Sequence, residues 1–205
     1  MIEVLYCDSS VIVVIKPSGV ISEDGEKSTP ALIREYLKNE NAYVGTVHRL
    51  DKNVGGLMVY SLDPSLTGKL SQNLSEDEAG KEYLAVLSGV PEKDEDILED
   101  LLYHDRAKNK TYVVKRKRAG VKEAKLSYKV LKHTPEGHTL VCVKLFTGRT
   151  HQIRAQFSSR GLCLVGDARY GGGKGEIKLY SYRITFRHPK TRKMLSFESI
   201  PDFAV

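Results

Sequence analysis

Asp51 is the residue of this chain whose setting best suits chemistry. It lies in His48-Arg49-Leu50-Asp51-Lys52-Asn53-Val54-Gly55-Gly56-Leu57, a carboxylate between two cations and followed by a glycine pair. An ionised carboxylate can serve as a nucleophile or as a base. The apolar run Leu57-Met58-Val59-Tyr60 follows directly, so the order reads as a loop delivering Asp51 to the mouth of a strand. By itself the stretch reads equally well as a solvated loop with an ordinary surface salt bridge. Two more stretches combine reactive or charged side chains with apolar anchors: Lys81-Glu82-Tyr83 and Arg149-Thr150-His151-Gln152-Ile153-Arg154.

Other chemistries find less support. His48 and Asp51 are three apart, but no Cys, His or Glu flanks them at ligand spacing, so no metal site is expected. The glycines at 171–175 lack the Lys-Ser/Thr ending of a phosphate-binding loop. Serines are plentiful, yet nothing resembles a nucleophile elbow. Cys7, Cys142 and Cys163 show no Cys-x-x-Cys spacing. An odd number of scattered thiols fits a reducing compartment, and Cys142, inside an apolar run, reads as a core filler.

The elements that must carry these residues follow from local patterns. Val11-Ile12-Val13-Val14-Ile15 is a β-branched run closed by Lys16-Pro17-Ser18-Gly19, hence a buried strand and a turn. Ser28-Thr29-Pro30 predicts a helix start, with Leu32, Ile33, Tyr36 and Leu37 as its apolar stripe. A strand is expected over 57–61, and Leu66, Leu70 and Leu74 predict a second helix ending near Glu76-Asp77-Glu78-Ala79-Gly80. Lys81 to Gly89 reads as a strand, and Pro91 to Asp100 as a polar connection. Residues 103–118 and 122–131 read as a basic hairpin around Ala119-Gly120. Thr139 to Phe146 is a further strand, with Val141, Val143 and Leu145 on one face. Thr150 is placed to cap a helix containing Ile153 and Phe157, with Gly161 as its stop. Two last strands, 177–186 and 193–199, surround His188-Pro189-Lys190-Thr191. The pattern predicts an α/β (α+β) fold with a mixed, largely antiparallel sheet and a few flanking helices.

The chain has 205 residues with net charge +6 and no apolar run approaching the ~20 residues of a membrane span, so no membrane association is expected. Met1 to Asp8 shows no basic region followed by an apolar core, so no secretion signal is expected and a cytoplasmic location is. Lys108, Lys110, Lys115, Arg116, Lys117, Arg118, Lys122 and Lys125 cluster in the predicted hairpin. That cluster reads either as a solvated hairpin or as a contact for a polyanion's phosphates. No heptad or long apolar stripe is evident, which makes a monomer the expectation.

Four motifs together resemble the RluA-type pseudouridine synthases, which show H-R-L-D, K-x-Y-x-A, G-R-T-H-Q-I-R and G-D-x-x-Y-G in that order. The matching stretches here are His48 to Asp51, Lys81 to Ala85, Gly148 to Arg154, and Gly166 to Gly171. The opening Ile12 to Gly19, and near the end Leu179 to Pro189 with Pro201-Asp202-Phe203, are similar to the family's first and closing segments. The resemblance implies one catalytic domain over 1–205, of pseudouridine synthase type, acting on ribosomal or transfer RNA without cofactor or metal. It implies that Asp51 is the catalytic aspartate, attacking C1′ or C6 or removing the 2′ proton. Arg154 then holds Asp51 ionised through a salt bridge, and Tyr83 packs against the target base. Arg49 resembles the arginine that fills the space left by the flipped nucleotide, and Arg149 and Lys81 become candidates for phosphate contact. His48 reads as structural, Leu50 as a core anchor, and His151 and Gln152 as orienting residues.

The chain also departs from the pattern. Val54-Gly55-Gly56 stands where the family often has Thr-Ser-Gly, and Leu179-Tyr180-Ser181 where it often has Leu-His-Ala. An S4-type RNA-binding domain, carried by many relatives before the catalytic one, is not expected. The rival reading is a non-catalytic RNA-binding or folding module on the same fold.

Overall fold

A computed structural model describes residues 2–74 and 79–204. It divides into two compact units: Met1–Lys81 with Tyr180–Phe203, and Glu82–Leu179. The elements in chain order are β1 (Glu3–Cys7), β2 (Val11–Lys16), α1 (Thr29–Tyr36), β3 (Gly45–Thr46), β4 (Gly55–Ser61) and α2 (Thr67–Asn73). They continue with β5 (Gly80–Leu87), β6 (Glu95–Asp105), β7 (Lys110–Val114), β8 (Val121–His133), β9 (Thr139–Leu145), α3 (Gln152–Ser158), β10 (Leu179–Arg187) and β11 (Met194–Glu198). A 3-10 turn spans Asp202–Ala204. The fold is mixed α/β and largely antiparallel, as the pattern of short strands and hairpins predicts. None of the described helices is long and apolar enough to cross a membrane.

In the first unit the strand order is β1-β2-β4-β10, with β11 on β10 and β3 on β4. β2 and β4 are buried on both faces, and Val11, Val13, Leu57, Val59, Leu70, Leu74, Ile184 and Phe186 form the core there. Ser28 caps α1 by accepting the Ala31 N–H at 3.1 Å, and Pro30 stands in the first turn, as expected. The predicted end of α2 at Glu76 to Glu78 lies outside the described residues; the described helix ends at Asn73.

One pairing in this unit is parallel: β4 with β10, Gly55 opposite Tyr180 and Gly56 opposite Ser181. The two departures from the family pattern therefore meet. Gly56 has φ +116°, and a Cβ there would collide with the Ser181 carbonyl and lie 2.6 Å from its nitrogen. A Cβ on Gly55 would reach the Tyr180 ring at 3.4 Å. Ser181, wholly buried, donates its hydroxyl to the Leu57 carbonyl at 3.0 Å. Gly56→Ala is expected to cost about 3 kcal/mol, because both the backbone region and the space refuse a methyl group. Urea unfolding checks this; an unchanged midpoint would contradict it.

In the second unit the order is β5-β9-β8-β6-β7, all antiparallel. Two expectations need correction. Half of the supposed polar connection before Asp100 is strand, since β6 begins at Glu95; Glu95, Ile97 and Glu99 face water, while Leu98 and Leu102 are buried and Asp100, on their side, accepts from Gln156 Nε2 at 2.7 Å. The stretch 103–118 is no single strand either. A turn at Arg106 to Asn109, with Asn109 at φ +44°, separates β6 from β7, and β8 pairs with β6. On β9, Val141 and Val143 are buried as expected, but Cys142 points to the other face, half-buried, with Sγ 3.6 Å from Glu82 Oε2. Cys142 is not a core filler.

Candidate active site

Asp51, Arg49 and Lys81 belong to the first unit; Tyr83, Arg149 and Arg154 belong to the second. In the first, the loop bearing Asp51 is pinned on both sides by its backbone. Leu50, 8 % exposed, anchors it in the core, and its N–H and carbonyl both bond Ser22 Oγ, at 3.0 and 2.7 Å. The Val54 N–H closes a turn on the Asp51 carbonyl at 3.0 Å. The Lys52 carbonyl accepts from Gly19 N–H at 2.9 Å, and Ser18 Oγ donates to the Asn53 carbonyl at 3.0 Å.

Beneath this loop sits Lys16, a residue that sequence reasoning assigned only to a turn. It is completely buried, and its ammonium donates to the carbonyls of Pro17, Val20 and Lys52 at 2.9, 2.7 and 3.1 Å. Three donors meet three acceptors, which is what a buried ammonium requires. Burial pushes its pKa down to about 8, while the negative charge of Asp51 acts in the opposite direction. Lys16 thus ties the turn after β2 to the catalytic-loop candidate and sets a positive charge near its carboxylate. The one sequence signal was a lysine directly continuing a fully apolar strand.

His48 is structural, as expected, though it bonds β4 rather than the loop. Its Nε2 accepts the Val59 N–H at 3.1 Å, so the neutral ring carries its proton on Nδ1, which is shielded from solvent. Burial of the ring, and secondarily the Lys81 ammonium, pushes its pKa down to about 3. The unfolded ring takes up a proton near pH 6.5. The stabilisation is therefore complete above about pH 6.5 and lost as pH falls towards about 3, on the order of 3 kcal/mol by about pH 4. Urea midpoints at about pH 7 and about pH 4, compared between wild type and His48→Gln, should show a smaller acid loss in the variant. Parallel losses would reject this account. Burial also pushes the half-buried Lys81 ammonium down. Arg49 is exposed, its NH1 3.2 Å from both Glu23 carboxylate oxygens.

In the second unit Tyr83 is 5 % exposed on β5, opposite Val143 of β9. Arg149 donates Nε to the Glu123 carbonyl at 2.9 Å. The turn before α3 is held by Gln152, whose Oε1 accepts from Arg149 N–H at 3.0 Å and from Thr147 Oγ1 at 2.8 Å. Thr150 is not the helix cap. His151 takes that position in the left-handed region, φ +53°, while the Thr150 carbonyl accepts from Thr111 Oγ1 at 2.8 Å. Ile153 and Phe157 are buried as expected, and Gly161 follows α3 at φ +74°.

Arg154 is buried on α3 and held side-on by Asp167, with Nε and NH2 donating to the two carboxylate oxygens at 2.7 and 2.8 Å. Its guanidinium carbon also stands 4.9 Å from the centre of the Tyr170 ring. That ring's hydroxyl accepts the Thr111 N–H at 2.7 Å and bonds His151 Nδ1 at 3.0 Å. The loop carrying Asp167 is folded so tightly that a Cβ on Gly172 would overlap the Leu164 carbonyl. Asp167 and Tyr170 were visible as motif letters only; their roles depend on partners far away in sequence.

Against known proteins, residues 10–159 match the model of a family described as RNA pseudouridylate synthase. The chain belongs to this family. An RNA pseudouridine synthase of Helicobacter pylori is 30% identical, over 96% of this chain and 65% of its own length. The ribosomal large subunit pseudouridine synthase C of Buchnera aphidicola is 30% identical over 98% of this chain and 67% of its own. The dual-specificity RNA pseudouridine synthase RluA of Pasteurella multocida is 28% identical, over 98% of this chain and 94% of its own. The chain thus spans about two thirds of the first two relatives and nearly all of the third. The solved structure of Human RNA Pseudouridylate Synthase Domain Containing 1 shares the fold, with TM-score 0.79 and 20% identity over 99% of this chain and 84% of that one.

Proposed function

We propose that this pseudouridine synthase family member isomerises uridine to pseudouridine in RNA, with ribosomal or transfer RNA as substrate. The N1–C1′ bond breaks, the uracil turns over and C5 bonds to C1′; the C5 proton is lost and N1 takes one up, so product and substrate are isomers. Asp51 is the catalytic carboxylate, attacking C1′ or C6 or taking the 2′ proton. The observation that carries this is the pinned Asp51 loop, fixed by backbone bonds above a buried ammonium, in a chain of this family. A carboxylate on a fixed loop needs little reorganisation during reaction.

Arg154 steadies the carboxylate, and its own orientation by Asp167 supports that role. Tyr83 offers an aromatic face to the extruded base. Arg49, Lys81 and Arg149 contact the RNA, Arg49 by exchanging the Glu23 carboxylate for the space or phosphates around the flipped nucleotide. The two units act as one catalytic domain, a monomer working in the cytoplasm. The test is release of tritium from RNA labelled at uridine C5, in metal-free buffer, with pseudouridine mapped in the product. Release with a mapped position supports the reading; binding without release from any cellular RNA would favour the non-catalytic module.

A further inference from the structure

Residues 103–122 hold eight lysines or arginines and a single acid, Asp105. This stretch by itself accounts for the chain's net charge of +6, and the remainder is close to neutral. Two tyrosines stand within it. Tyr103 of β6 and Tyr112 of β7 are directly opposite in register, so they share one face of the pair. The other face of these strands carries Leu102 and Thr111, 3 % and 2 % exposed, which pack inward. Tyr112 is 37 % exposed and Tyr103 half-buried. The Arg118 guanidinium lies 5.0 Å over the Tyr103 ring, and Lys110 Nζ is 5.7 Å from the Tyr112 ring. Gly120 also flanks Tyr103, with room for no more than van der Waals contact if it bore a Cβ.

We propose that Tyr103 and Tyr112, with Arg118 beside them, form a stacking platform for unpaired nucleotides of the RNA. The surrounding cations attract the phosphates of any nucleic acid. Aromatic faces add something that duplex RNA cannot use, because its bases are already stacked. A planar guanidinium over Tyr103 can extend such a stack or give way to a base. The platform makes single-stranded or looped RNA, rather than a continuous helix, the form this hairpin holds. The inference rests on the reading that RNA is the substrate.

The experiment uses the full chain with a fluorescein-labelled oligouridylate and a blunt RNA duplex of equal phosphate number, followed by anisotropy at physiological ionic strength. Tyr112→Ala is expected to weaken oligouridylate binding about tenfold and duplex binding less than about twofold. Tyr112 is exposed, so this variant keeps its fold, and circular dichroism verifies it. Tyr112→Phe, which retains the ring, should bind like wild type. Equal losses on both RNAs, or no loss on the oligouridylate, would overturn the platform. Tritium release by the wild type is measured alongside. Tyrosine-dependent strand binding without any release would support the platform while removing the proposed reaction; release without tyrosine-dependent binding would do the reverse.

Discussion

Asp51→Asn is expected to lower tritium release by about a thousandfold or more while leaving the fold intact. Asparagine has the same shape but neither the charge nor the basicity that each candidate route requires. The loop should survive the exchange because main-chain bonds hold it: Ser22 to Leu50, Gly19 and Lys16 to Lys52, Val54 to Asp51 itself. What changes nearby is the setting of Lys16, which loses the attraction that opposes its burial. The measurement pairs initial rates with a urea midpoint for the same preparation. Full activity in Asp51→Asn would sink the assignment, and a lost fold would show that the carboxylate holds the loop after all.

Asp167→Ala is expected to destabilise the protein by about 3–5 kcal/mol, because it takes the side-on partner from a buried guanidinium. The size follows from desolvation: the Arg154 charge stays inside without the two short bonds that compensated it. Removing the charge as well should recover much of the loss, so Arg154→Met combined with Asp167→Ala should be more stable than Asp167→Ala alone. Denaturant unfolding of wild type, both single variants and the double variant forms the complete cycle. A single Asp167→Ala within about 1 kcal/mol of wild type would mean that Arg154 does not depend on this pairing.

Local features were legible in the sequence. The buried run 11–15, the Ser28 cap with Pro30, the strand after Gly55-Gly56 and the Ile153/Phe157 spacing all became the expected elements. Each depends on neighbours within a turn or a strand. β1 was missed because its alternating half-exposed residues give a weak signal at a sheet edge. The acidic start of β6 was missed because four acids around only Ile97 and Leu98 look like a loop. The candidate site was legible only as motifs, through which Asp51, Tyr83 and Arg154 were proposed. The three-carbonyl cage of Lys16 and the Asp167 and Tyr170 contacts of Arg154 were not, since burial and partner choice are set by contacts distant in sequence.

The parallel contact of β4 with β10 ties together two positions far apart in the chain. Gly55 and Tyr180 belong to the two stretches where the chain leaves the family's usual pattern, and they face each other across one strand pair. A Cβ at 55 would just touch the Tyr180 ring at 3.4 Å, so the room for anything larger than a methyl group at 55 is set by the residue at 180. The strand pair thus couples the two positions sterically, just after the loop that carries Asp51.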